Sequence, residues 1–388
     1  MTAKRLLVLV VLAIALLGGA LWYSGRQAPV RHDAAAGPLL PALEARLNAL
    51  EEVRVIGAGD AVLVTLRRDG EVWRVSEREG WPADTGKLRS LLLRFAQARR
   101  LEPKTALPER YAQLGVEDVS KPEAGGVRLE LHGGGEPLAV IVGRNNPQGR
   151  GSFVRLPEQA QSWLADADLA VEKDPARWLE RDLLDIAARR IVAVDVRPER
   201  GPAFRIERRD GDAAGFTLAQ IPRGQRLVSD YAPEATAGLF DNLQLDDVRR
   251  FDGDWGEPTL AAEFLREDGL RIGLRAWDRD GRLWVVLEPV LDEAKAREFL
   301  AAEVEKDRRA VEAAEKPVAG DEGETAAASA LDETAKDALL KDADTRLAEL
   351  SADVQALRGK VDGWAFALPN FKAANLRRDR EAYLAPAQ

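Results

Sequence analysis

The sequence of 388 residues contains no cysteine, one methionine and only two histidines. The absence of cysteine excludes disulfide bonds, thiolate nucleophiles and cysteine-based zinc or iron–sulfur sites. His32 and His132 lie far apart in the sequence, so they do not form a histidine pair at metal-ligand spacing. The net charge of −9 argues against a general nucleic-acid binder, because affinity for phosphates requires a concentrated basic face. We therefore expect no cofactor, no metal and no nucleic-acid partner.

Long apolar runs are also scarce, and the one that stands out is Leu6–Tyr23, which has 18 residues without a charge. This is about the minimum for a helix that crosses the roughly 30 Å hydrocarbon core of a bilayer. Lys4 and Arg5 precede the run and favour a cytoplasmic N-terminus, and two aromatic residues end it at the far interface. A cleaved signal peptide is the alternative, with Gly18–Ala20 as its cleavage site. We expect residues 1–25 to anchor the chain in a bacterial inner membrane by a single pass, with the bulk of the chain in the periplasm.

A hairpin pattern occurs twice in the chain. Val64–Gly70 and Phe204–Gly211 each end in Arg-Arg-Asp-Gly, and an aromatic residue follows each of them. Apolar residues alternate before the turn, and Asp-Gly supplies the positive φ that a tight turn requires. A helix-like run and further strands follow both copies. The pattern predicts an α+β fold with two repeated sheet-plus-helix units.

The same reading divides the rest of the chain into segments. The predicted segments are a cytoplasmic tip and anchor at 1–25, a linker and short helix at 26–52, the first unit at 53–156, a helical connector at 157–190, the second unit at 191–290, a charged helical hairpin with a mobile loop at 291–360, and an aromatic C-terminal segment at 361–388 that packs back on the second unit.

An apolar stripe near the C-terminus is the candidate partner surface. With Ala343 included, its residues are three and four apart, the spacing of a coiled coil. The residues are Leu340, Leu347, Leu350, Val354 and Leu357. They pack within the chain against the preceding helix or lie in the groove of a partner.

Nine tryptophans are many for this length, and Trp73 and Trp284 are the candidate groove aromatics. In this interpretation, a cleft between the two units holds a glycan, lipid or peptide that stacks on tryptophan rings. Packing in the core or between the units is the competing interpretation.

Three carboxylate pairs are candidates for acid–base or calcium chemistry. They are Asp182/Asp185, Asp246/Asp247 and Asp252/Asp254. None has the regular ligand spacing of a calcium loop, and capping or solvated roles are favoured. A cell-envelope hydrolase that uses these pairs stays open as a third hypothesis.

Three groups of residues, taken in order, resemble the family known as domain of unknown function 4340 (DUF4340). The groups are Val64-Thr65-Leu66 with Trp73 and Pro82; Asp174-Pro175, Trp178-Leu179, Arg181 and Leu183-Leu184-Asp185; and Gly363-Trp364 with Leu368-Pro369 and Phe371-Lys372. The resemblance implies a single-pass membrane protein with an extracytoplasmic domain that accompanies ABC-transporter components of the gliding-motility type, and it supplies no catalytic residues. We therefore expect a non-enzymatic accessory or scaffold subunit of such a transporter. A periplasmic ligand-binding module is the alternative.

Overall fold

A computed structural model of the protein describes residues 37–209, 215–315 and 341–386. These residues form 21 strands in four sheets. They divide into two compact units. The first unit consists of the described chain up to Ser76 and of Thr85–Trp178. The second unit consists of Glu77–Asp84 and of the described chain from Leu179 onward.

Residues 37–178 contribute three α-helices and nine strands. These are α1 (Leu43–Arg46), α2 (Thr85–Gln97), α3 (Tyr111–Leu114), β1 (Glu52–Ile56), β2 (Val62–Asp69), β3 (Val72–Val75), β4 (Trp81–Pro82), β5 (Arg100–Pro103), β6 (Val127–His132), β7 (Leu138–Asn145), β8 (Ser152–Arg155) and β9 (Ser162–Ala165). The strands of the first unit lie in the order β3-β2-β1-β6-β7-β8-β9-β5.

Period-two patterning explains the first sheet. Along β1, Val53 and Val55 are buried, while Arg54 between them is more exposed. The hairpin of β2 and β3 turns at Gly70, whose φ of 60° suits glycine because glycine has no Cβ to clash. Helix α2 buries Leu88, Leu91, Leu92 and Phe95 along one stripe, as an amphipathic helix does.

The second unit contains β4 and the elements from residue 179 onward. These are β10 (Asp182–Leu184), β11 (Ile191–Pro198), β12 (Phe204–Arg208), β13 (Phe216–Leu218), β14 (Gln225–Leu227), α4 (Tyr231–Ala237), β15 (Leu243–Gln244), β16 (Asp247–Arg250), β17 (Leu260–Arg266), β18 (Leu270–Arg279), β19 (Arg282–Leu291), α5 (Glu293–Glu315), α6 (Ala343–Val361), β20 (Trp364–Ala367), α7 (Asn370–Leu376) and β21 (Leu384–Pro386). Its main sheet has the order β13-β12-β11-β17-β18-β19-β20-β16, and the pairs β10–β15 and β14–β21 are separate.

The two main sheets have the same strand order. Comparison of corresponding strands shows where helices α5 and α6 are inserted in the second sheet. β8 and β9 in the first sheet correspond to β19 and β20 in the second. Residues 156–161 join the first pair, whereas residues 292–363 lie between β19 and β20. Helices α5 and α6 are therefore an insertion between two neighbouring strands of the second sheet.

The predicted α+β class is wrong, because the described residues are mostly β-sheet. The predicted connector at 157–190 is also not helical. Ser162–Ala165 pairs with β8 as a strand, and the helical structure is limited to two short 3-10 turns at Pro175–Trp178 and Ala188–Arg190. Its apolar residues are too few and too scattered for an amphipathic helix, so strand pairing determines their conformation.

The predicted transmembrane helix and helical hairpin are likewise not shown. Residues 1–25 and the segment that links α5 to α6 lie outside the described residues. Within the described ranges, no helix has both the length and the apolar character that a membrane crossing requires. A coiled coil is not shown either, because Leu347 packs on α5 whereas Val354 and Leu357 line a groove next to other elements.

Candidate functional site

The second unit contains a groove beside helix α6, which we call the helix groove. Its volume is about 360 Å³. Its apolar lining comes from three places. Leu350, Val354 and Leu357 belong to α6, Phe299 and Leu300 belong to α5, and Leu184, Ile186 and Leu270 belong to β10, the following loop and β18. Separate segments of the chain therefore build one concave apolar surface.

Local interactions determine where α6 begins. The Asp342 carboxylate accepts a hydrogen bond of 2.7 Å from the Thr345 backbone nitrogen, which caps the first turn. Hydrogen bonds from the Thr345 backbone and side chain hold the pKa of Asp342 below its usual value. The negative charge also interacts favourably with the helix dipole at this end.

Tertiary contacts determine where α6 lies. Leu347 packs with Ala296 and Leu300 of α5, and Arg346 pairs with Asp307 at 2.8 Å. At the other end, the Lys360 ammonium donates to the Asp182 carbonyl at 2.7 Å and to the Leu183 carbonyl. Both ends of the helix are therefore fixed, and its apolar stripe is held along the groove.

A network of ion pairs forms the charged side of the groove. Asp268 is only 3% exposed and pairs with Arg190 at 2.8 Å and with Arg266 at 2.6 Å. A buried carboxylate needs such partners, because burial without them disfavours its charged form. Arg190 also pairs with Glu267 at 3.4 Å. The network neutralises its own charges and offers a polar border next to the apolar lining.

The residues of the predicted partner surface have different environments. Leu347 and Val354 are each 8% exposed. Leu350 and Leu357 are half-buried and line the groove. Leu340 lies outside the described residues. Binding of a partner by this stripe stays a prediction.

The two candidate groove aromatics are buried, each within its own unit. Trp73 of the first unit lines a cavity of about 260 Å³ beside α2. Trp284 of the second unit is 1% exposed and packs in a cluster with Trp255 and Trp277. The Arg249 guanidinium lies 3.7 Å from the Trp284 ring centroid, a cation–π arrangement. The low exposure of Trp284 and the Arg249 guanidinium next to its ring both show that protein covers this ring.

The carboxylates considered for catalysis have structural partners. Asp182 accepts from Gln244, Asp185 from the Asn242 backbone, Asp246 from Arg181, Asp247 from Arg78 and Arg282, and Asp252 from the Asp254 backbone. His132 lies 3.4 Å from Glu130, and His32 is outside the described residues. In the part of the chain that the structure describes, no group of three or more histidine, aspartate and glutamate side chains is placed to hold a metal ion.

Sequence reasoning missed the charged side of the helix groove. Arg266 and Asp268 flank the β17–β18 turn, and their sequence resembles any charged hairpin end. Arg190 lies 78 residues before Asp268, so no local pattern signals their pairing. The aromatic lining residue Phe299 is on a helix that was predicted only as charged and alanine-rich.

Comparison with known proteins gives one match. The family model described as domain of unknown function (DUF4340) matches residues 73–256. No curated protein matches the chain, and no solved structure does. The matched stretch runs from β3 to the loop after β16, so β17–β20 and helices α5 and α6 lie beyond it. The resemblance noted in the sequence is confirmed over residues 73–256, which match the DUF4340 family model.

Proposed function

We propose that the protein is a non-enzymatic, membrane-anchored extracytoplasmic accessory or scaffold subunit of an envelope ABC-transporter assembly. The resemblance to the DUF4340 family supports the transporter, and the Leu6–Tyr23 run supports the anchor. The observation that carries a docking role is the helix groove, whose leucines are half-buried on an inserted pair of helices.

The chemistry of the groove suits a helical partner segment. An amphipathic helix that docks in a groove places apolar side chains at positions three and four apart. Leu350 and Leu357 lie seven residues apart on α6 and therefore on the same side of the helix. They form an apolar ridge against which the side chains of a partner helix can pack. The Arg190–Asp268 network provides a polar rim, which fixes orientation more than affinity. A partner helix would exclude water from the leucines and leave the ion pairs intact.

A crosslinking pull-down from membranes tests the proposal. The full chain is compared with Leu350→Asp and Leu357→Asp, which place a charge in the groove. Ala352→Asp and Gln355→Asp add the same charge to exposed positions of the same helix and serve as matched controls. We expect the full chain and the controls to recover an ABC permease or its partner, and the groove variants to lose about tenfold or more, the change that about 1.4 kcal/mol of binding free energy produces.

Two results would contradict the proposal. If all five proteins recover the transporter equally, the groove is not part of the interface. If the full chain recovers no transporter subunit, the proposed accessory role is wrong. Hydrogen exchange of α6 in each variant distinguishes a lost contact from a locally unfolded helix.

A further inference from the structure

We propose that the helix groove takes an amphipathic helix that carries a lysine or arginine between its apolar side chains, and that the Asp353 carboxylate binds this cation. This pairing rests on the proposed function, in which a partner helix covers the groove. It adds the charge that the partner must supply, and so names the chemistry by which the groove recognises one helix rather than another.

Asp353 lies on the groove side of α6, between the two leucines of the apolar ridge. It follows Leu350 by three residues and precedes Leu357 by four, and residues at these spacings are neighbours on the surface of an α-helix. All three line the groove. Asp353 is exposed, whereas Leu350 and Leu357 are half-buried. A helix that packs on both leucines therefore also covers Asp353.

The other charged residues of the groove have partners within the second unit. The pairs are Arg190–Asp268, Arg266–Asp268, Arg346–Asp307, Glu349–Lys341 and Asp185 with the Asn242 backbone. Within the ranges that the structure describes, the Asp353 carboxylate has no hydrogen bond and no ion pair. Both of its oxygens are therefore available to a donor on a partner.

Enclosure of an unpaired carboxylate is costly, and this cost determines the chemistry of the partner. An ionised carboxylate that leaves water without a counter-charge loses its hydration and gains no interaction in return. An apolar helix that packs on Leu350 and Leu357 would impose this loss on Asp353. A lysine or arginine at the facing position replaces the lost hydration by a charge-assisted hydrogen bond. The partner helix is therefore apolar where it meets the leucines and basic between them.

The arginines of the groove do not neutralise Asp353, because each already binds another carboxylate. Arg190 and Arg266 share Asp268, which is only 3% exposed. Arg346 pairs at 2.8 Å with an aspartate of α5. If Arg266 turned toward Asp353, the buried Asp268 would lose one of its two guanidinium partners. The cation that compensates Asp353 therefore comes from the partner.

Replacement of Asp353 by leucine distinguishes a basic partner from an apolar one by the sign of its effect. Leucine extends the apolar ridge, so it strengthens the docking of a helix that faces this position with an apolar side chain. The same change leaves a partner lysine or arginine without its carboxylate, so it weakens the docking of a basic helix. Asp353→Leu removes no contact of the carboxylate with the described chain, and leucine is a better helix former than aspartate, so α6 should stay folded.

The experiment is a crosslinking pull-down of the full chain from membranes, in which mass spectrometry quantifies the recovered ABC-transporter subunits. Asp353→Leu and Asp353→Asn are compared with the unchanged chain. Asp344→Leu is the matched control, because Asp344 is an exposed acid of α6 that does not line the groove.

We expect Asp344→Leu to recover as much as the unchanged chain. Asp353→Leu should recover about tenfold less, which corresponds to about 1.4 kcal/mol of binding free energy. Asp353→Asn keeps the size of the side chain and removes the charge, and it should also reduce recovery. Higher salt should weaken recovery by the unchanged chain more than by Asp353→Leu, since only the unchanged chain has the ion pair.

The outcomes separate this pairing from the docking role itself. If Asp353→Leu recovers as much as the unchanged chain or more, no basic residue faces Asp353 and the pairing is wrong. Loss of recovery in Leu350→Asp then shows that the groove still docks a helix. Equal losses in Asp353→Leu and Asp344→Leu also contradict the pairing, because the effect then does not depend on the groove. If the unchanged chain recovers no transporter subunit, the proposed function fails and the pairing fails with it. Hydrogen exchange of α6 verifies that each variant keeps the helix.

Discussion

Asp247 shows how a single carboxylate can hold distant segments of the second unit together. It is 9% exposed and pairs with Arg78 at 2.5 Å and Arg282 at 3.1 Å. Removal of one member of a buried ion pair leaves the other charge uncompensated, which is more costly than the loss of an exposed pair.

We predict that Asp247→Ala lowers the free energy of unfolding of the second unit by about 2 kcal/mol, because two partly exposed guanidinium groups lose their charged partner. The control is Glu288→Ala, whose side chain is 55% exposed and pairs with Arg275, and which should cost less than about 1 kcal/mol. Urea unfolding followed by tryptophan fluorescence measures both. Equal effects for the two variants would show that the buried pair contributes no more than a surface pair.

Tyr383 gives a prediction with a pH dependence. Burial raises its pKa above the ordinary value of 10.0, and its hydroxyl forms a hydrogen bond of 2.8 Å with Thr236. Below pH 10 the folded and unfolded states both keep the proton. Above pH 10 the unfolded state loses it first, so the free energy of unfolding falls as the pH rises toward the folded-state pKa.

Tyr383→Phe should therefore lower the free energy of unfolding by about 1 kcal/mol at pH 7, because the hydrogen bond is lost. It should also flatten the decline of stability above pH 10. Tyr231→Phe, at a position that is 71% exposed, should change neither quantity. Denaturation curves collected between pH 7 and 11 provide the comparison, and an unchanged alkaline slope in Tyr383→Phe would contradict the assignment.

Residue types could be predicted at this scale, but their partners could not. The pairs around Asp182, Asp246 and Asp252 were expected to cap or to lie on the surface, and the contacts of Asp185 and Asp252 with backbone N–H groups are of that kind. One partner of Asp247 is Arg78, which is 169 residues away. No periodicity carries information across that distance, since only the fold brings the two side chains together.

At the scale of elements, helix α6 depends on a few apolar contacts rather than on its own sequence preference. In folded proteins, tertiary packing of an apolar face supplies most of the stability of a helix. Leu347 is the buried residue of α6 in the cluster with Ala296 and Leu300.

We predict that Leu347→Ala accelerates hydrogen exchange in α5 and α6, because a buried leucine replaced by alanine costs about 2–5 kcal/mol. The β1 and β6 amides of the first unit should keep their protection. Gln355→Ala, on the exposed face of α6, is the control and should leave exchange in both helices unchanged. Normal exchange of α6 in Leu347→Ala would mean that other contacts hold the helix.

Local patterns predicted the elements whose conformation depends on short-range chemistry. The first hairpin forms with Asp69 opposite Val72, as alternation and the Asp-Gly turn indicated. Residues 157–190 were read as a helix, yet Val154 pairs with Trp163 in a sheet. The apolar residues of this segment are scattered and have no clear period, so pairing with the neighbouring strand determines the conformation.

For the molecule as a whole, the insertion of α5 and α6 was beyond sequence reasoning. The aromatic run at Trp364–Ala367 was expected to pack back on the second unit, but not to complete its sheet between β19 and β16. Trp284 pairs with Ala367 across more than eighty residues of chain. Because this connection is so long, the sequence alone does not indicate which strand lies next to β19 in the sheet.

The second unit also includes a segment from early in the chain. Glu77–Asp84 leaves the first unit after β3, and Trp81 in this segment is 3% exposed. Its ring lies 5.0 Å from that of Trp364 and 5.4 Å from that of Phe366, and its indole N–H donates to the Glu180 carbonyl at 2.9 Å. A cut between residues 178 and 179 would therefore remove part of the core of the second unit.

We predict that Trp81→Ala destabilises the second unit, although residue 81 lies between the two segments of the first unit in the sequence. The loss of a buried tryptophan costs about 3–5 kcal/mol, and here it also leaves the Trp364 and Phe366 rings without their neighbour. Hydrogen exchange should become faster in β16 and β20, while β1 and β6 remain protected. Trp163→Ala, on β9 of the first unit, is the reciprocal control and should affect the first sheet instead. The amides that lose protection identify the core that the indole ring stabilises. If Trp81→Ala accelerates exchange only in the first sheet, residue 81 stabilises the first unit and the prediction is wrong.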